Sequence, residues 1–160
     1  MIVIADTSPL NYLIQIDCDS LLPRLYTHVH VPVAVMEELS HPHAPAPVQH
    51  WLKQVPGWLE IQSIHSTLDA SLAFLDYGER EAIQLAQEQH ADLLLIDEHQ
   101  GRIEARRRGI ATTGTLGVLL AAAEKKLIDV EAAYQRLMEQ TTFRIAPALQ
   151  AEFLKRIQQP

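Results

Sequence analysis

Three short apolar runs, each closed by a polar or glycine turn and leading straight into helix-forming sequence, constrain the fold more than any other feature of this chain. Ile2-Val3-Ile4-Ala5 runs into Asp6-Thr7-Ser8-Pro9, where Pro9 suits a first helical turn that Thr7 or Ser8 would cap. Leu93-Leu94-Leu95-Ile96 is closed by Asp97 and followed by a polar helical stretch from His99 to Arg108. Gly109-Ile110-Ala111-Thr112-Thr113 passes through Gly114 into an apolar helix from Leu116 to Lys126. Buried strands alternating with helices predict an α/β fold around a parallel sheet, because parallel strands need crossover connections and are covered on both faces.

Weaker strand candidates are Val29–Val31, Leu59–Ile61 and Phe143–Ile145. Helices are expected over about 9–16, 20–26, 32–40, 47–54, 79–90, 99–108, 115–126, 130–140 and 147–158. The segment from Ser40 to Pro47 holds three prolines and is read as a loop. With 160 residues, 48% of them apolar, and no repeat or linker, the expectation is one domain over 1–160 in which 128–160 form a C-terminal helical extension.

The first residues lack a basic leader, and no apolar run is long enough for a membrane span, so neither export nor insertion is expected. Cys18 is the only cysteine, which excludes an internal disulfide and fits a cytoplasmic protein. Charge is unevenly spread: residues 1–100 carry 3 Lys/Arg and 14 Asp/Glu, residues 101–160 carry 10 and 6. An acidic front that recruits metal and a basic tail that meets phosphates fit this split, as do ordinary solvated helix faces.

Ligands of open parallel sheets gather beyond the carboxyl ends of the strands, where Asp6 and Asp97 both fall. If their strands are neighbours, the two acids converge. Glu38, at the end of a predicted helix, and Glu79, in a first helical turn after Gly78, would complete the cluster. Packed carboxylates repel one another unless a cation neutralises them, and hard oxygen ligands select Mg²⁺ or Mn²⁺. Taken singly, Asp6 and Asp97 equally suit helix caps, Glu79 and Glu81 suit a helix dipole, and Glu38 suits a solvated surface.

Jointly, Asp6-Thr7-Ser8-Pro9-Leu10, the Val-Pro-x-x-Val-x-x-Glu-Leu run ending at Glu38-Leu39, Gly78-Glu79-Arg80-Glu81-Ala82-Ile83, Leu95-Ile96-Asp97-Glu98 and Gly114-Thr115-Leu116-Gly117-Val118-Leu119 resemble PIN-domain proteins. The likeness is closest to the branch with GE-x-EAI and GTLGVL motifs and runs in order from residue 2 to about 120. It implies a three-layer α/β/α sandwich, Mg²⁺- or Mn²⁺-dependent endoribonuclease activity on RNA, and often the toxin's part in a toxin–antitoxin pair. By the same resemblance Asp6, Glu38, Glu79 and Asp97 match the family's acidic positions, with Glu98 as auxiliary ligand. Glu37 and Glu81 are near misses in register, and Glu79 departs from the Asp often found at its position.

Around these acids, Thr7, Ser8 and Thr115 are candidates to hold carboxylates or meet RNA, with helix capping as the ordinary alternative. Arg102 and Arg106 lie four apart on one helix face and are candidates to grip RNA phosphates. Gly114 and Gly117 either expose amides to a phosphate or allow close strand–helix packing. The pairs His28/His30 and His41/His43 are weak zinc candidates without thiolates nearby, and Trp51 and Trp58 suit packing more than base stacking. Apolar positions in the last two helices leave room for a homodimer face or an antitoxin groove.

One rival reading is a PIN-like interaction module with weak or no catalysis. Aspartyl-phosphate enzymes also place an Asp after the first strand. Haloacid-dehalogenase-type phosphatases want a second acid where this chain has Ser8, and response-regulator receivers want a lysine near Thr112–Gly114, so both are disfavoured.

Overall fold

The computed structural model describes residues 1–158; the last two residues of the expected C-terminal extension, 159 and 160, lie outside the described residues. Five parallel strands, β1 (Val3–Ala5), β2 (Val29–Pro32), β3 (Leu59–Gln62), β4 (Leu93–Leu95) and β5 (Thr112–Thr113), form one sheet of order β3-β2-β1-β4-β5. Ile4 pairs with His30 on one side and with Leu94 on the other, which sets Ala5 opposite Leu95. The chain builds outward from β1 in one direction and later in the other, so strand order reverses between β1 and β4. A crevice opens at such a point, beyond the carboxyl ends of the strands.

Helices cover both faces, as the run-and-helix pattern requires: α1 (Thr7–Gln15), α2 (Leu21–Tyr26), α3 (Val33–Leu39), α4 (Ala46–Leu52), α5 (Tyr77–Glu88), α6 (His99–Arg107), α7 (Thr115–Glu124), α8 (Val130–Gln140) and α9 (Pro147–Ile157). Alternate strand residues point to opposite layers. Val3, Ala5, Val31 and Leu95 join Leu10, Leu13, Val35, Val118 and Leu137 on one side. Ile4, Leu94 and Ile96 join Ile83, Leu85, Ala86 and Ala105 on the other. The result is a three-layer α/β/α sandwich. No helix among the described residues is long and apolar enough to cross a membrane.

Several expectations need correction. Helix α1 begins at Thr7, two residues before the expected start, with Asp6 in the N-cap position and no side-chain bond closing the cap. Only Thr112 and Thr113 of the third apolar run are strand. Gly109, at φ 80°, ends the helical stretch, and Ile110 turns into the core instead of extending the ladder. Phe143–Ile145 is not a strand. Its apolar residues anchor the chain: the Phe143 ring stands edge-on to Tyr12 at 5.2 Å, and the Phe143 amide bonds to Thr141 Oγ1 at 3.1 Å.

Between β3 and α5 runs a long connection whose only helical piece is a short 3₁₀ turn, Ala70–Leu72. Buried Gln84 of α5 pins it, accepting from the Asp69 amide at 2.7 Å and donating to the Thr67 carbonyl at 3.0 Å. Arg108 ties the same stretch to α6 through Asp69 at 3.0 Å and Glu104 at 2.8 Å. The entry into α5 is thereby fixed.

Candidate active site

Asp6 leaves the end of β1 directly beside β4, its amide donating to the Leu95 carbonyl at 2.9 Å. The side chain is only 3% exposed, and its Oδ1 has no hydrogen-bond partner. A buried, unpaired carboxylate oxygen is costly to keep charged. Burial pushes its pKa well above the usual carboxylate range; the Thr7 amide opposes the rise, and the nearby charges of Asp76, Glu79 and Glu38 add to it.

Glu38 reaches this point from the last turn of α3. Its carboxylate accepts from the Thr7 hydroxyl and, at 2.9 Å, from the Gly78 amide, linking the starts of α1 and α5. A Cβ on Gly78 would stand 2.5 Å from Glu38 Oε1, so only glycine leaves the carboxylate its place. Glu79, one residue on, is buried at the start of α5. It forms a reciprocal cap with Asp76: Asp76 Oδ1 accepts from the Glu79 amide at 2.8 Å, and Glu79 Oε2 accepts from the Asp76 amide at 3.3 Å. Burial and the Asp76 charge push Glu79 up to about 7.

Asp97 follows β4, one strand across. Its two oxygens accept from the Thr115 amide and hydroxyl, each at 2.7 Å. Burial raises its pKa, while the Thr115 bonds and the Arg102 charge partly offset that rise. Gly114 serves Asp97 as Gly78 serves Glu38, since a Cβ there would lie 2.6 Å from Asp97 Oδ1. Thr7 and Thr115 thus hold carboxylates instead of capping helices. Ser8 is half-buried in the first turn of α1.

The neighbouring candidates take other duties. Glu98 caps α6, accepting from the Gly101 amide at 2.8 Å. Glu81 is buried and accepts from the Ala34 amide at 3.1 Å, satisfying a donor in the first turn of α3, where Pro32 offers no side-chain cap. Glu37 is exposed. Arg102 stands at Asp97, whereas Arg106 turns to the sheet edge and donates to Thr112 Oγ1 at 3.0 Å. Of the histidine pairs, His28 and His30 both face Glu60 across the β2–β3 pairing, and the His43 amide bonds to His41. Trp51 is half-buried against the core and donates its indole N–H to Asp19 at 3.0 Å.

Sequence reasoning missed Asp76, although Asp76-Tyr77-Gly78-Glu79 spells a capping box. Its charge is the largest carboxylate influence on Asp6.

Asp6, Glu38 and Glu79 are therefore within electrostatic reach of one another, with Asp97 on the adjacent strand. No group of three or more His, Cys, Asp or Glu side chains among the described residues forms a ready metal cage. The fit to a divalent cation rests on different features: the unpartnered Asp6 oxygen, and the two glycine cradles that reserve room for Glu38 and Asp97. All the donors are hard oxygens, as Mg²⁺ requires, and Mg²⁺ is commonly held by one or two carboxylates with waters filling the rest.

A parallel α/β/α sandwich with buried acids at its topological switch point defines the class. Comparison with known families agrees: the model for a PIN domain, DUF3368, matches residues 2–159, and the chain belongs to the PIN-domain family. No curated protein matches it. PIN domains are generally nucleases, which supports a hydrolase role in coarse terms, and they typically use divalent metals.

Proposed function

We propose that this chain is a metal-dependent endoribonuclease in which Asp6, Glu38, Glu79 and Asp97 hold Mg²⁺ or Mn²⁺, with Glu98 at the margin. The observation that carries the proposal is Asp6 Oδ1, a buried carboxyl oxygen left without a partner among the described residues, beside three further acids, Asp76, Glu79 and Glu38. A divalent cation held by these residues would supply charge neutralisation for a scissile phosphate and activation of water. Thr7 and Gly78 orient Glu38, Thr115 orients Asp97, and burial together with the Asp76 charge raises Glu79 to about 7. By the same reading the enzyme is the toxin of a toxin–antitoxin pair, works in the cytoplasm as a homodimer and is restrained by an antitoxin protein.

Two measurements test this. Isothermal titration should give Mn²⁺ binding that Asp97→Asn weakens, and a mixed RNA pool should be cut by wild type but not by Asp97→Asn. Equal cleavage by both proteins would remove the assignment. The second reading is a catalytically weak or inactive interaction module. That reading requires uncut RNA even at saturating Mn²⁺.

The glycine cradles allow a test that spares every acid. Gly114→Ala places a methyl where Asp97 Oδ1 lies, so cleavage should fall about 10–100-fold, the usual loss when the support of a metal ligand is disturbed. Circular dichroism should stay that of the parent. Full activity in Gly114→Ala would mean that the Asp97 orientation is irrelevant.

A further inference from the structure

Helix α9 is fastened to the rest of the chain by very little. Of its 11 residues only Phe153 is buried. The Phe153 ring lies 5.0 Å from that of Tyr134 on α8, and Gln150 Nε2 donates to the Tyr134 hydroxyl at 2.8 Å. Among the described residues no other hydrogen bond and no ion pair ties α9 to the body of the protein. Neither ring joins the two core layers. Just upstream the chain is held firmly, with Phe143 against Tyr12 and Ile145 against the core. The anchored stretch ends at Ala146, which is extended at φ −61° and ψ 141° and gives α9 no side-chain cap. The same helix forms one wall of a cavity of about 700 Å³ beside Asp97. Arg102, Gly114 and Leu120 stand on the body side of that cavity; Leu149, Glu152 and Arg156 stand on the α9 side.

We infer that α9 is a lid, clasped shut by Phe153 on Tyr134 and hinged at Ala146, whose release opens one side of this cavity. Segments with few buried apolar contacts open at a lower free energy than the core, and α9 has one such residue. Isolated helices shorter than about 12–15 residues are marginal in water, so α9 cannot keep its helix once it leaves Tyr134. Release and unwinding are therefore one event. Pro147, at the first helical position, presets the turn from which the helix forms again on closing. Opening leaves the acids in place, because Asp97 is held by Thr115 of α7 and not by α9. This lid goes beyond the nuclease reading and would exist in a catalytically inactive module as well.

The test is deuterium exchange of the full chain in EDTA, read by mass spectrometry. Beyond its first turn, α9 should exchange roughly tenfold or more faster than α8, whose Ala133 and Leu137 sit in the core. Access is read separately with Leu120→Cys, on the body side of the cavity, and a polyethylene glycol maleimide too bulky to enter while the lid is shut. Cys18, the only native thiol, is 3% exposed and should stay unlabelled. Phe153→Ala removes the buried ring and should speed labelling of Leu120→Cys about tenfold or more. Gln150→Ala keeps both rings and should speed it by a smaller factor.

Protection of α9 equal to that of α8, or a labelling rate that Phe153→Ala leaves unchanged, would overturn the lid. Faster exchange spreading through α7 and α8 in both variants would also overturn it, since α9 would then belong to the common core. RNA cleavage with Mn²⁺ is scored apart: its absence in wild type defeats the nuclease reading and leaves the lid standing.

Discussion

Asp6→Asn should make the metal-free protein more stable and the enzyme inactive. The first effect follows from a carboxyl oxygen buried without a partner among the described residues, which is costly to ionise. An amide of the same shape removes the buried charge. The sign with pH is definite. Asp6 and Glu79 have folded-state pKa values above the unfolded carboxylate range of about 4, so their contribution to stability is complete below about pH 4. It is lost as pH rises through the folded values, about 7 for Glu79. Glu104 and Asp69, both lowered to about 2 by arginine and serine partners, act in the opposite sense and lose their contribution as pH falls toward 2.

The metal-free protein should therefore melt highest in mildly acidic buffer and lower near pH 8. Asp6→Asn should flatten the decline between pH 5 and 8. In the parent, Mn²⁺ at about a hundred times its dissociation constant should add about 2.7 kcal/mol, or roughly 5–11 °C of melting temperature; in Asp6→Asn this gain should vanish. RNA cleavage should drop more than about 100-fold, beyond the 10–100-fold loss for an outer-shell partner. A variant that melts like the parent in EDTA and still gains from Mn²⁺ would show that Asp6 neither strains the fold nor binds the ion.

Leu95→Ala should cost about 2–5 kcal/mol, the range for emptying a fully buried leucine site. Leu95 is completely buried in the central part of the sheet, paired with Ala5 on one side and Thr113 on the other. Its side chain enters the layer held by α1, α7 and α8. At about 2–4 °C per kcal/mol, the melting temperature in EDTA should fall by roughly 4–20 °C. Ile103→Ala is the control: that side chain is 51% exposed on α6, and its removal should stay within about 0.5 kcal/mol. A loss under about 1 kcal/mol at Leu95 would mean that the layer closes over the gap or is packed more loosely than drawn.

Much of this architecture was legible because it depends on period and punctuation. The apolar runs ending at Ala5 and Ile96, each closed by an Asp and followed by helix-forming sequence, read as buried strands and hold β1 and β4, and α8 spans the expected residues from Val130 to Gln140. Phe143–Ile145 misled because a short apolar run looks the same whether it forms a ladder or plugs a gap, and only the Tyr12 ring decides. Asp6 and Asp97 announced themselves by following strands. Glu38 was proposed from its place at a helix end and supported by family likeness, but what brings it in, the Thr7 hydroxyl and the Gly78 amide, lies far away in the chain. Asp76 was hidden in plain view as a cap. The roles of Glu79 and Glu81 could not be separated by spacing, because both are buried on one helix and only their partners differ.

The bond from Glu81 to the Ala34 amide has a mechanical result. Helix α5 carries Glu79 and, through Glu81, also grips the first turn of α3, whose far end presents Glu38. The two helices are latched together, so any sway of one drags the other acid along with it. The pocket would then loosen or tighten as a single jaw against Asp6, not ligand by ligand.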